Sequence, residues 1–142
     1  MKILLNRKSS IHEIKQRFDK DVDRFSNLES GQTATIDAPL AMELITQAAY
    51  HSTPDVKKVL DIGCGAGNNT LKFLEYAPSF DSDLIDLSLP MLKKAKERIS
   101  AINTGEVKII QGDFREIELL DNEYDVIFAA AVLHHLRDDQ DW

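Results

Sequence analysis

Four short apolar runs, KKVLDIG, DLIDLS, VKIIQGD and YDVIFAAA, punctuate residues 57–131 and constrain the fold more than any other feature of the chain. Each is apolar on both faces. That is the pattern of strands buried from two sides, which belong to parallel sheets covered by helices. Helical stretches separate the first three runs. One lies near Asn69 to Tyr76, and the other is PMLKKAKERISAIN, with Ser88 placed as its N-cap and basic residues toward its end. Alternating strand and helix predicts an α/β parallel sheet with right-handed crossovers.

Upstream the texture is helical. SSIHEIKQRFDKDVDRF opens with a capping box, Ser10 with Glu13. Ile11, Ile14, Phe18, Val22 and Phe25 then recur at three- and four-residue spacing, one apolar helix face. The polar break SNLESGQTAT follows. Asp37 reads as the next N-cap, with Pro39 in the first turn, Leu40, Leu44, Ile45 and Ala48 behind it, and an end near Tyr50. Residues 1–56 are thus expected to form a helical segment of the same domain, and residues 57–142 the sheet core. The stripe from Ile11 to Phe25 serves either as core or as a lid, with Gly31 in SGQTAT as its hinge. The final HHLRDDQDW falls where a helix should follow the fourth strand, so the chain reads as a portion of something longer.

Composition removes several classes of function. At 142 residues with 43% hydrophobic and 29% charged residues, the chain has the length of one domain and can build a core. A net charge of −7 argues against a general nucleic-acid coat but leaves open an RNA met through a local basic patch. No apolar run approaches the roughly 18 residues of a membrane span, and the N-terminus lacks the apolar core of a signal peptide. The single cysteine, Cys64, cannot form an internal disulfide, which fits a reducing cytoplasm.

The chemistry is concentrated in VLDIGCGAGNNT, where Gly63, Gly65 and Gly67 follow a strand and an acid, Asp61. A glycine-rich turn lets a ligand approach the backbone, with a helix N-terminus behind it. A phosphate loop would need a terminal Gly-Lys-Ser/Thr, and none is present. The dinucleotide pattern G-x-G-x-x-G would need a third glycine where Asn68 stands. Asp61 would repel a pyrophosphate and attract an ammonium group. About twenty residues further on, Asp86 ends the second strand, well placed to accept hydrogen bonds from a ribose diol. After the third strand come Gly112, Asp113 and Phe114: a glycine, an acceptor for an amino group, and a ring. Together these describe a site for an adenosine carrying an amino-acid tail.

VLDIGCGAGNNT, DLIDLSLPML, IIQGDF and YDVIFAAAVLHHL resemble, in order and spacing, the successive motifs of class I S-adenosylmethionine-dependent methyltransferases. The resemblance covers Val59 to Leu136. It implies a Rossmann-like doubly wound parallel sheet of at least four strands, with S-adenosyl-L-methionine bound across the C-terminal strand ends. On this likeness Asp61 and the loop of Gly63, Gly65 and Gly67 hold the methionine portion, and Asp86 binds the ribose hydroxyls. Leu87 packs against adenine, Asp113 faces its amino group, Phe114 contacts the ring, and Ala129 and Ala130 line the sulfonium end. The family's fifth strand and antiparallel pair have no match in the sequence.

Other readings stand beside these. Asp113 is also ordinary turn chemistry, and Asp86 could cap a helix, although Ser88 is better placed. Cys64 reads as a small loop residue, since no motif positions a His and Asp pair to activate it. His134 and His135 are candidates for a catalytic base, or one packs while the other meets solvent. No spacing suggests a metal site, and LKKAKER reads as a solvated face. The expected activity is methyl transfer to an unidentified acceptor. VLHHL tilts the choice toward a small molecule over RNA or protein, and the oligomeric state stays open, a homodimer included. The rival readings are a cofactor-binding fragment or interaction module without catalysis, and an NAD-dependent oxidoreductase.

Overall fold

A computed structural model describes residues 8–27 and 37–142. The capping box is present: Glu13 N donates to Ser10 Oγ at 3.3 Å, and Ser10 N donates to Glu13 Oε2 at 2.7 Å. It starts α1 (Ile11–Lys20), which breaks at Asp21 before the short α2 (Val22–Ser26). The expected single helix is therefore two. Of its apolar stripe only Ile14 is buried, and the break lets the Phe18 and Phe25 rings meet at 4.9 Å instead of facing the core in line. The proposed hinge at Gly31 lies outside the described residues.

Helix α3 (Ala38–Ser52) carries Pro39 in its first turn, and Asp37 holds the N-cap position in a left-handed conformation, φ 57°, without a side-chain capping bond. Its buried face corrects the expectation. Ala38, Met42 and Thr46 point inward, while Leu40, Leu44 and Ile45 are 56%, 57% and 43% exposed. Polar contacts fix that rotation. Thr46 Oγ1 donates to Met42 O at 2.8 Å, so a hydroxyl is buried satisfied. Glu43 pairs with Lys72 at 2.6 Å and accepts a hydrogen bond from the Tyr76 hydroxyl, which also accepts from Gln47 Nε2 at 3.1 Å.

The strands are β1 (Lys58–Ile62), β2 (Asp81–Asp86), β3 (Val107–Gln111) and β4 (Val126–Phe128), all parallel in the order β3-β2-β1-β4. Helix α4 (Asn68–Phe73) follows β1, and α5 (Leu89–Ser100) follows β2, started by the Ser88 cap. Val59, Leu84, Val107, Val126 and Phe128 pack with Phe73, Phe80, Leu92, Ala95 and Ile99 into the core. Burial on both faces holds for the inner strands, β1 and β2. The outer strands differ, with Lys108 exposed on β3 and Ile127 58% exposed on β4. After β4 the expected α-helix is a single 3₁₀ turn, Leu133–His135, entered through Ala131 at φ 55°.

The chain leaves β1 toward β2 and β3, then returns to β4 on the other side. This reversal opens a crevice at the C-terminal ends of β1 and β4, where open α/β sheets bind ligands.

Gly67 closes that end of the fold. It sits at φ 82°, and an added Cβ would come within 2.9 Å of Ile99 Cδ1 and 3.1 Å of Ala95 Cβ. Gly67→Ala is expected to destabilise the chain by about 2–4 kcal/mol, from left-handed strain plus overpacking, as read by urea unfolding. Gly65→Ala, at φ 53° with open space around the new methyl, should cost only the strain, about 1–2 kcal/mol.

Candidate functional site

Asp61 is the fourth residue of β1, flanked by Leu84 on β2 and Phe128 on β4, and it is fully buried. Thr70 Oγ1, from the first turns of α4, donates to its Oδ2 at 2.7 Å. Its Oδ1 has no partner among the described residues. Burial, opposed by the Thr70 bond and helped by the nearby Asp86 charge, raises the Asp61 pKa to about 7. A buried acceptor without a donor costs on the order of 1–3 kcal/mol, and more if charged. An ammonium group is the chemistry that would reverse that cost.

The loop above it is held open by three left-handed glycines with different surroundings. A Cβ on Gly63 would lie 2.5 Å from Val132 Cγ2, and one on Gly67 would strike α5. A Cβ on Gly65 would meet nothing within 4 Å, so this is where a ligand can approach the loop. Asp86 ties the loop down. Its Oδ2 accepts from Gly65 N at 2.9 Å and its Oδ1 from Ser88 N at 2.9 Å. Burial raises its pKa against these bonds. Each carboxylate oxygen keeps a further lone pair, so Asp86 can brace the loop and still accept from a diol.

The remaining predicted residues fall around the same strand ends with unequal freedom. Leu87, Phe114, Ala129 and Ala130 are half-buried. Asp113 is committed to Arg115, accepting from its Nε at 2.9 Å and from its backbone N at 3.1 Å, and Arg115 also pairs with Asp141. The Arg115 guanidinium holds the Asp113 carboxyl below its ordinary range. The His134 and His135 rings lie with centroids 4.0 Å apart, tilted by 42°. Burial, then the positive charges of His134, Arg17 and Lys8, push His135 down to about 4. Cys64 is buried, its thiol raised well above its ordinary value by burial, so it is no nucleophile poised to react.

Several contacts at this end have no signature in the sequence. Ser88 Oγ donates to Asp19 Oδ1 at 2.5 Å, and Asn68 Nδ2 donates to Phe25 O at 3.1 Å, so the N-terminal helices are fastened to the loop and to the start of α5. Arg98, within the run read as solvated, donates from one guanidinium nitrogen to Ala66 O at 2.7 Å and Asn68 Oδ1 at 2.8 Å. Its position between Ala95 and Ile99, which pack on Gly67, is the one available hint.

The site thus joins an open glycine loop to a buried, half-satisfied acid, without the lysine of a phosphate loop. The family model described as "Methyltransferase domain" matches residues 59–142. The chain belongs to that family, the class I S-adenosylmethionine-dependent methyltransferases, whose cofactor is S-adenosylmethionine. It is 33% identical over 98 residues to a malonyl-[acyl-carrier protein] O-methyltransferase of Halalkalibacterium halodurans, covering 67% of this chain and 35% of that protein. It is 26% identical over 132 residues to a demethylmenaquinone methyltransferase of Staphylococcus aureus, covering 92% of this chain and 52% of that protein. In fold it matches the N-methyltransferase NodS from Bradyrhizobium japonicum, solved with S-adenosyl-L-homocysteine, at TM-score 0.64 and 19% identity, over 87% of this chain and 61% of that one. The chain thus spans about a third to a half of the curated relatives it matches. Among the described residues no helix is long and apolar enough to cross a membrane.

The raised Asp61 pKa has a sign that can be checked. The unfolded chain loses this proton near 3.8 and the folded chain near 7, so folding favours the protonated form and stability falls as pH rises through that window. Urea unfolding of the free chain should show this loss between about pH 4 and pH 7, and Asp61→Asn should flatten it.

Proposed function

We propose that this chain binds S-adenosylmethionine across the C-terminal ends of β1 and β2 and takes part in transferring its methyl group to a small-molecule acceptor. The observation that carries the reading is the buried, unpartnered Oδ1 of Asp61 beneath the open backbone at Gly65. A cationic amino-acid tail beside a neutral nucleoside meets that need, and a pyrophosphate does not. In this reading Asp61 and the loop of Gly63, Gly65 and Gly67 hold the methionine portion, with Asp86 accepting from the ribose hydroxyls. Leu87 and Phe114 flank adenine. Asp113 would share its carboxylate between Arg115 and the adenine amino group, and Ala129 and Ala130 would meet the sulfonium end through their backbone.

When bound, the cofactor supplies a methyl group activated by a sulfonium. The protein's part is positioning and exclusion of water. No acid or base residue is obligatory when the acceptor's nucleophile is already reactive. His135, with its pKa near 4, would be a weak base at neutral pH, so any base role falls better to the exposed His134. Helices α1 and α2 belong to the same domain as the site, an assignment supported by the Asp19–Ser88 and Phe25–Asn68 fastenings. The names of the relatives, a malonyl group borne on a carrier protein and a demethylmenaquinone, support a small organic group as the acceptor over RNA. A cytoplasmic setting suits the single buried thiol.

Calorimetric titration with S-adenosylmethionine, S-adenosylhomocysteine and NAD tests this. Saturable binding of the first two is expected, weakened about ten- to a hundredfold in Asp86→Ala, which loses both the ribose acceptor and the loop brace. Binding of NAD alone by a folded chain would overturn the reading.

A further inference from the structure

A second feature lies beside the glycine loop. Val132, against which Gly63 packs, opens the turn that carries His134 and His135. That turn and the start of α1 enclose a pocket of about 240 Å³ lined by Lys8, Ser9, Ile14, Arg17, His134 and His135. Two permanent cations, two imidazoles and a hydroxyl meet there, and among the described residues no carboxylate lines it. In a chain of net charge −7 such a concentration is against the average. Among the described residues, Lys8 donates to Leu136 O and Arg17 lies over the Phe18 ring at 5.3 Å, but neither forms an ion pair. By contrast Lys15, two residues before Arg17 on the same helix, is paired with Asp19 at 2.6 Å.

We propose that this pocket receives an oxyanion of the methyl acceptor, a carboxylate or a phosphate, with Arg17 and Lys8 as its charge partners and His134 and Ser9 as further donors. The inference rests on the methyltransferase reading for the word acceptor, and on the pocket alone for the anion. Planar guanidinium groups match carboxylate and phosphate geometry, and a site of joined cations loses mutual repulsion when an anion enters. His135 fits the same picture: Arg17 and Lys8 lie among the charges that act on it, and the Phe18 ring meets it edge-on at 6.1 Å. Held in this pocket, the anion would place the rest of the acceptor beside the Gly63 side of the loop and Val132, two residues past Ala130, which is assigned to the sulfonium end. Arg17 and Lys8 are then positioning residues that select acceptors by charge.

The test is proton NMR of the histidine rings in the 142-residue chain, titrated at constant ionic strength with malonate, with inorganic phosphate and with the neutral dimethyl malonate. His134 and His135 signals should shift saturably with at least one of the two anions, while His12 and His51, outside the pocket, stay unmoved. Arg17→Gln and Lys8→Gln, both at exposed side chains, should each weaken that binding about tenfold, whereas Lys20→Gln, the same charge change outside the pocket, should not. Equal response to the neutral diester, no saturable response to either anion, or unchanged affinity in both pocket variants would overturn the proposal. S-adenosylhomocysteine titrated into the same samples separates the two readings. If it binds while the anions fail, only the pocket assignment falls. If it fails while the anions bind, the pocket stands as an anion site and its link to a methyl acceptor falls.

Discussion

The arrangement depends on a carboxylate buried in the middle of a parallel sheet with one oxygen left over. Asp61 is satisfied on one side by Thr70 and on the other by nothing among the described residues. Burial alone would favour an apolar residue at this central position of β1, where Leu84 and Phe128 are the flanking strand partners. Keeping an acid there lowers stability once it ionises, a cost of the kind that functional sites carry and the rest of the fold offsets. The surrounding design follows. The glycines keep side chains out of the space above, and the strand reversal sets that space at the crevice of the sheet.

Asp86 is the second fixed point and has two tasks. It grips the loop at Gly65 and starts α5 at Ser88, so loop, strand and helix are held by one carboxylate. Ser88 in turn donates to Asp19 and joins the N-terminal helices to the same spot. A ligand that draws on Asp86 would therefore be felt at both the loop and α1. Arg98, bonded to the carbonyl of Ala66, holds the loop from the α5 side. Hydrogen bonds to backbone brace the loop alongside the packing of Gly63 on Val132 and of Gly67 on Ala95 and Ile99.

The sheet was legible because its signal is local: four apolar runs with helical spacing between them name both the elements and their parallel arrangement. The Ser10–Glu13 and Ser88 caps were legible for the same reason, being chemistry between residues three apart. What the sequence hid is set at a distance. The rotation of α3 is fixed by Glu43 and Gln47 reaching Lys72 and Tyr76, so the leucines that look like its core face lie outward. The break at Asp21 and the short turn after β4 depend on backbone conformations that no apolar spacing encodes. At the site, the residue types of Asp61, the glycines and Asp86 could be read directly. The pairing of Asp61 with Thr70 and of Asp113 with Arg115, and the gathering of Lys8 and Arg17 around the histidines, needed the fold.

The central claim is that the free oxygen of Asp61 exists for the ammonium of an amino-acid tail. It is tested most directly by calorimetry of wild type and Asp61→Asn with two ligands, S-adenosylhomocysteine and 5′-methylthioadenosine, which keeps the nucleoside but lacks the tail. The account predicts that the substitution weakens the first by about tenfold or more and leaves the second unchanged. Equal losses for both ligands, or no loss for the first, would contradict it.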